Sequence, residues 1–336
     1  MLANNNEAII NKLAKNSVKT NKKQYAILFF TIILSAFMLF CVFTIGMTYL
    51  NSSRLQNTRL NGAEYDILTM NGFTSEQLNT LRQNENIRSV GIESYAGFIQ
   101  STEYDKTVEI GLLWCDEVFW DNLMSPARTK LDGHYPQNKN ELMVTKDILK
   151  TCGNENLSVG DSLILTYENN TGVYTDEFVI SGIWDGYGDT SAGFVSKAFY
   201  DETGYDLKNN GILCIKLNCN YVFPTTIQSI EKSLDFSDRQ IFAPTGYIEN
   251  SFKLLLGICG LALVICLSAY LLIYNILYLS VSGKIRYYGL LQSLGMTKKQ
   301  LVRFIIKQMI LVGILGIFIG NLLGIILCMK LVPYIL

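Results

Sequence analysis

The chain has 336 residues, of which 49% are hydrophobic and only 17% are charged, and its formal net charge is −1. This balance is apolar for a soluble protein of that length and argues against an ordinary soluble domain. Charge is also unevenly distributed, because Glu7 is the only acidic residue outside residues 51–252, whereas about half of the 28 Lys and Arg residues lie in the flanks. An acidic block between basic flanks predicts two different environments.

Basic residues dominate the N-terminal segment, residues 1–24, which predicts an amphipathic helix. Lys12, Lys15 and Lys19 align on one face, and the opposite face is apolar, with Ile10, Leu13, Ala14 and Val18. Such a helix can lie on an anionic lipid leaflet, and the alternative is a basic flank that only sets orientation. In either case the positive-inside rule predicts that the N-terminus is cytoplasmic.

Three stretches contain no charged residue: 24–53, 254–283 and 308–329. Each is longer than the roughly 20 residues that a helix needs to cross a bilayer. We therefore predict transmembrane helices at 25–50, within 247–283 and at 308–330, with a stalk at the start of the second. The first stretch begins too late and is too long for a cleaved signal peptide, so we interpret it as a retained anchor.

Counting crossings from a cytoplasmic N-terminus places residues 51–246 outside the membrane and residues 284–307 inside. The outer block is large enough to have its own core. It mixes helix and strand signals, namely a capping box at Thr74 and Gln77, strands at 162–167, 177–184 and 212–217, and a helix at 225–234. We predict an α+β extracytoplasmic domain inserted between the first and second spans. Four of its cysteines permit two disulfides of unassigned pairing: Cys115, Cys152, Cys214 and Cys219.

The segment 284–307, KIRYYGLLQSLGMTKKQLVRFIIK, is patterned like a structured element rather than a loop. One helical face collects Tyr287, Leu290, Leu291 and Leu294. Gly295 offers the left-handed conformation that ends a helix. Thr297 and Gln300 then form a capping box for the next helix, with Met296 and Leu301 as its hydrophobic staple. A stiff element at the membrane surface predicts contact with a partner.

The third span carries a doubled GxxxG pattern formed by Gly316, Gly320 and Gly324. This spacing predicts close packing of a second helix, and the alternative is the general glycine richness of membrane helices. The sequence contains no P-loop, no HExxH motif and a single histidine. We therefore predict no catalytic residue, no cofactor and no metal site, and a membrane-anchored enzyme is the least favoured alternative.

One span, a large outer domain and a span pair around IRYYGLLQSLGMTKKQL resemble the FtsX-like (MacB-type) permeases of ABC transporters. The most specific similarity lies in residues 286–301, with an Arg, a Gly-Leu-Leu helix, a Leu-Gly pair and a following Gln-Leu. The basic N-terminal helix is similar to the entry helix of the family. An outer-domain pattern of the family is also matched, by Gly133, Pro136, Asn140, Glu141, Gly160 and Asp161.

The resemblance implies a permease component of an ABC transporter in the bacterial cell membrane. Its cytoplasmic helix would dock on a separate ATPase through Tyr287, Leu290, Leu291 and Leu294, with Arg286 and Lys298 at the rim and Gly295 as a hinge. ATP hydrolysis would move the outer domain to export or extract peptides, lipids or lipoproteins. The alternative is a scaffold that regulates a cell-wall hydrolase or senses antimicrobial peptides without transport. The implied partners are the ATPase, a second permease copy or half-repeat, and membrane lipids, but no nucleic acid.

Two departures from the family pattern affect these expectations. Members commonly carry Glu where this chain has Tyr288 and Gln308, so the charge pairs at the ATPase contact are expected to differ. The family repeat also has a fourth span. We therefore expect residues 331–336 to be the truncated end of a fragment of a longer two-repeat permease, or of a truncated gene.

Overall fold

The computed structural model describes residues 7–100, 110–187 and 192–335. The chain forms two compact units. We call one the helical unit, comprising Met1–Asn51 and Leu254–Leu336, and the other the large domain, comprising Ser52–Lys253.

The described residues form helices and strands in the following order. The α-helices are α1 (Glu7–Thr20), α2 (Lys22–Asn61), α3 (Ser75–Gln83), α4 (Lys146–Thr151), α5 (Lys197–Tyr200), α6 (Leu207–Asn210), α7 (Pro224–Lys232), α8 (Gly246–Ser282), α9 (Ile285–Ser293) and α10 (Lys298–Ile335). The strands are β1 (Ile67–Met70), β2 (Ile87–Ile99), β3 (Ile110–Cys115), β4 (Arg128–Gly133), β5 (Glu141–Thr145), β6 (Ser162–Asn169), β7 (Gly172–Gly186), β8 (Ala192–Val195), β9 (Gly211–Leu217) and β10 (Ile241–Pro244). A π-helix (Val118–Leu123) and a 3-10 helix (Ser125–Ala127) follow β3.

Helices α2, α8 and α10 are long and apolar enough to cross a membrane, with mean hydropathies of 2.8, 2.6 and 2.7 over their most apolar segments. The prediction of three spans is confirmed. Each helix is longer than its apolar stretch: α2 continues to Asn61, and α8 starts at Gly246. The segments beyond the apolar stretches, residues 52–61 and 246–253, belong to the large domain.

The N-terminal helix differs from the prediction in what its apolar face contacts. Residues 1–6 lie outside the described residues, and α1 ends at Thr20, just before α2 begins at Lys22. Ile10 and Ala14 are buried among side chains of α9 and α10. The expectation that this face lies on lipid is therefore corrected, since protein covers it; Lys12, Lys15 and Lys19 remain exposed.

The sheet of the large domain contains a closed ring of strands. The ring runs β2–β3–β8–β5–β7–β6 and closes because β6 pairs with both β7 and β2. The β3–β8 and β5–β7 pairs are parallel, and the other pairs of the ring are antiparallel. Strands β9, β1 and β10 extend the sheet from β2, and β4 pairs with β7. The mixed sheet with peripheral helices confirms the predicted α+β class.

Several elements of this domain were predicted and are confirmed. The capping box at Thr74 and Gln77 starts α3. The predicted strands at 162–167 and 177–184 form β6 and β7, which are longer than predicted and pair as a hairpin with Asn169 opposite Gly172 across a two-residue loop. Residues alternate between inward and outward along β6, so its apolar side chains enter the main core. The two disulfides that the sequence permits do not form, since all four cysteines of the domain are free thiols: Cys115, Cys152, Cys214 and Cys219.

A buried ion cluster lies where the chain enters and leaves the large domain. The Lys216 ammonium lies 3.1 Å from Glu64 and 3.2 Å from Asp66, and the side chains of Lys216 and Asp66 are almost fully buried. The Asp66 carboxylate also accepts a hydrogen bond from the Leu217 backbone, and its carbonyl accepts one from the backbone of Thr245. Burial raises the pKa of Asp66 above its usual value, although Lys216 and the Leu217 amide oppose the shift. The cluster joins β9 to the segments that follow α2 and precede α8.

Candidate functional site

Helix α9, between α8 and α10, ends in a Schellman motif. The Met296 N–H donates to the carbonyl of Leu291 over 3.1 Å, and the Gly295 N–H donates to that of Gln292 over 3.0 Å. Gly295 has φ +97°, in the left-handed region, and its missing Cβ would have open space around it. Glycine is therefore required here by backbone conformation and not by crowding.

The start of α10 is fixed by the predicted capping box. The Thr297 N–H donates to the Gln300 side chain over 3.0 Å, and the Gln300 N–H donates to the Thr297 hydroxyl over 3.3 Å. Met296 and Leu301 pack against the same buried cluster. The Schellman motif and the capping box follow each other directly, so the turn between α9 and α10 is defined by hydrogen bonds on both sides.

Apart from Ile285, which is exposed by 67% and lies on neither, the apolar residues of α9 and its C-cap residue Leu294 divide between two faces. Tyr287, Leu290 and Leu294 are exposed by 42%, 60% and 76%. Leu291 is partly covered and packs with buried Tyr288. At 100° per residue the three exposed side chains fall within about 60° of arc, whereas Leu291 is displaced toward Tyr288. The structure thus separates Leu291 from the three residues with which it was predicted to act, and it leaves Arg286 and Lys298 exposed nearby in sequence.

The covered side of α9 belongs to a small cluster that sequence reasoning missed. Ile10 and Ala14 of α1, Tyr288 of α9 and Phe304 of α10 form its buried centre. One turn after Phe304, buried Gln308 of α10 accepts a hydrogen bond from the Tyr25 hydroxyl of α2. The i, i+3 pair of Tyr288 and Leu291 was visible in the sequence, but nothing there indicated that α1 would cover it.

The glycine face of α10 lies against α2. A Cβ built on Gly316 would be 2.9 Å from the Ile32 side chain, and one on Gly320 would be 2.6 Å from the Ile33 carbonyl oxygen. A Cβ on Gly324 would be 2.5 Å from the ring of Phe40. Real Cβ atoms essentially never approach so closely, so these positions need glycine at the present helix separation.

In the large domain, the residues that resemble the family pattern shape two loops. Gly133 has φ +87°, and the Glu141 carboxylate accepts hydrogen bonds from the backbone of Gln137 and of Asn138, at 2.7 and 3.1 Å. Burial alone would raise the pKa of Glu141, but these bonds hold it below its usual value. The Asp161 carboxylate accepts from the Ser158 backbone over 2.8 Å. These residues are explained by loop geometry.

Half-buried Glu93 on β2 is an unusual carboxyl group of the large domain. Burial raises its pKa to about 7. It lies opposite Cys115 of β3 and Ile212 of β9 across the sheet. Among residues 7–100, 110–187 and 192–335 no group of three or more acidic, His or Cys side chains is placed to hold a metal ion. The raised pKa of Glu93 makes the stability of the large domain depend on pH.

Three membrane-crossing helices, a large domain inserted after the first, and an exposed apolar helix between the last two define a polytopic membrane protein. Residues 259–333, from α8 to α10, match the sequence model of the family described as FtsX-like permease C-terminal. The match confirms, over these residues, the resemblance to this family that was predicted from the sequence.

Comparisons with other proteins give the following matches. None of the curated proteins matches the chain. Among solved structures, the chain is similar to the periplasmic region of MacB from Actinobacillus actinomycetemcomitans, with 12% identity and a TM-score of 0.39 over 58% of this chain and 95% of that one. It is also similar to the extracellular domain of the noncanonic ABC-type transporter YknZ from Gram-positive bacteria, with 13% identity and a TM-score of 0.35 over 53% of this chain and 98% of that one.

Proposed function

We propose that the chain is the membrane-spanning component of an ABC transporter and that α9 docks on a separate cytoplasmic ATPase. The observation that carries the proposal is the exposed apolar face of α9, formed by Tyr287, Leu290 and Leu294. Exposed apolar side chains beside cations suit a groove with an apolar floor and an acidic rim. The match to the FtsX-like permease family supports this role.

The orientation follows from charge. Five cations lie in α9 and in the first turns of α10: Arg286, Lys298, Lys299, Arg303 and Lys307. Together with the lysines of α1, they favour a cytoplasmic location for both segments under the positive-inside rule. On this basis the large domain is extracytoplasmic, in the cell membrane of a bacterium.

In this function α2 and α8 carry motion from the membrane to the large domain. Both are single helices that extend beyond their apolar stretches, and their ends belong to the large domain. The ion cluster of Lys216, Glu64 and Asp66 ties together the chain segments next to both helices. ATP-driven movement of α9 would thus reach the domain for export or extraction of a peptide, lipid or lipoprotein, with a second permease copy or half-repeat completing the transporter.

The test is association with an ATPase. We expect the tagged full chain, purified from its native membrane, to retain a P-loop subunit identified by mass spectrometry and to show ATP hydrolysis. Leu290→Ala with Leu294→Ala should lower both retention and hydrolysis at least tenfold, since two exposed anchors of the contact are truncated. Leu60→Ala is the control, because Leu60 is exposed by 78%, about as much as Leu294, but lies in the large domain. Unchanged retention in the double variant would refute docking through this face.

A further inference from the structure

We propose that α1 is the support that holds α9 in position and that Ile10 and Ala14 are positioning residues for its exposed face. The structural part of this inference concerns α1 and α9 alone. Its consequence for coupling rests on the proposed function.

The contact is a closed apolar cluster. Ile10 and Ala14 lie one turn apart on α1 and are exposed by only 4% and 3%. They are buried with Tyr288 of α9 and with Phe304 of α10. The Phe304 side chain is completely buried. Partly buried side chains from the three helices and their connections surround this centre: Leu13, Val281, Leu291, Met296, Leu301 and Ile305.

Helix α9 depends on this packing for its position. It has nine residues, which is too short for a stable helix in water on its own. Its N-cap residue Lys284 makes no side-chain capping bond, and Tyr288 is the one buried residue of α9. Because Tyr287, Leu290 and Leu294 point away from the cluster, α9 is held on one side and left open on the other.

Helix α1 is in turn tied to α10 near its start, and the first turn of α2, which follows α1, is tied to α10 as well. Near its start, Glu7 lies 3.8 Å from the Lys307 ammonium. Just beyond its end, the Tyr25 hydroxyl of α2 donates to Gln308. Displacement of α9 therefore acts on α10 through their shared turn and on α2 through α1, so both helices respond to one docking event.

The experiment is hydrogen exchange of the full chain in lipid nanodiscs, without any ATPase. Ile10→Ala should speed exchange of the α9 amides about tenfold, because truncation leaves a cavity in the cluster. Ile9→Ala is the matched control, since the neighbouring Ile9 is 54% exposed and should leave α9 unchanged. Ile10→Val, which keeps most of the side chain, should leave the α9 amides nearly as protected from exchange as in the unchanged chain. Unchanged exchange of α9 in Ile10→Ala would overturn the inference, as would an equal effect of Ile9→Ala.

A second pair of variants tests the same contact from the other side. Tyr288→Ala should speed exchange in α1, whereas Tyr288→Phe, which keeps the ring, should not. If the exchange rates of the α1 amides are unchanged in both variants, the cluster does not couple the two helices and the inference fails. These readouts do not involve an ATPase. An altered exchange of α9 with no loss of ATPase retention in the docking variants would therefore support the role of α1 and refute the proposed function.

Discussion

Alanine at Gly320 is expected to push α2 and α10 apart. The added Cβ would lie 2.6 Å from the Ile33 carbonyl oxygen, 2.9 Å from the Ala36 Cβ and 3.1 Å from the Phe37 nitrogen. Ordinary contact distances begin near 3.4 Å, so the helices must move by several tenths of an ångström at backbone atoms that have no rotamer to change. Overpacking of this kind costs about 1–3 kcal/mol.

The neighbouring glycines provide a graded comparison. At Gly316 and Gly324 the nearest atoms belong to the side chains of Ile32 and Phe40 and not to backbone, so alanine there should still crowd the helices but cost less than at Gly320. Gly313 is the control, because nothing lies within 4 Å of its Cβ position. Alanine gains up to about 1 kcal/mol of helix propensity over glycine at each site. Comparison with Gly313→Ala removes that common term.

A natural thiol pair on the same two helices supplies the assay. The Sγ atoms of Cys41 and Cys328 are 4.0 Å apart, and a disulfide requires about 2 Å, which a rotamer change can bring about. Mild copper-catalysed oxidation followed by peptide mapping measures the rate of this cross-link. We expect Gly320→Ala to slow it about five- to tenfold relative to Gly313→Ala, with Gly316→Ala in between. Equal rates for Gly320→Ala and Gly313→Ala would refute the reasoning.

Two further predictions concern the large domain, which contains all three tryptophans of the chain, so their fluorescence reports its unfolding. Lys216→Met should destabilise the large domain by about 3–5 kcal/mol, because two carboxylates lose their buried partner. Lys139→Met, at an exposed ion pair, is the control and should cost at most about 1 kcal/mol. Equal losses of stability in the two variants would contradict the burial argument. Glu93 takes up its proton near pH 7 in the folded state and near pH 4.5 when unfolded, so its contribution to stability falls as pH rises through this window. Glu93→Gln should therefore stabilise the domain at pH 8 by up to about 3 kcal/mol and have no effect near pH 4.5, and a pH-independent effect in urea unfolding would contradict the shift.

The sequence alone predicted those features that depend on local chemistry. Charge-free stretches identified the three spans, and the residue types at Gly295, Thr297 and Gln300 identified the turn between α9 and α10, because caps are set by neighbouring residues. The two strands of the β6–β7 hairpin were also predicted, but both are longer and their connection is shorter than predicted. Each of these signals lies within a few residues of the structure that it specifies.

Features that depend on contacts between distant segments could not be predicted. Periodicity placed Leu291 with Leu290 and Leu294, but which edge of an apolar stripe is covered depends on the packing of α1, far away in sequence. Lys216 looked like an ordinary strand residue, and its burial follows from carboxylates about 150 positions earlier. The ring of strands likewise depends on β6 reaching β2, which no local pattern indicates.

The central claim is that the exposed face of α9 is covered by a cytoplasmic ATPase. The most direct measurement is maleimide labelling of Leu290→Cys in inside-out membrane vesicles, with and without the ATPase, using a form of the chain whose exposed native cysteines are replaced. We predict at least tenfold slower labelling when the ATPase is bound, and no change for Val302→Cys on α10. Equal labelling of Leu290→Cys in both conditions, with the ATPase present at saturation, would contradict the account.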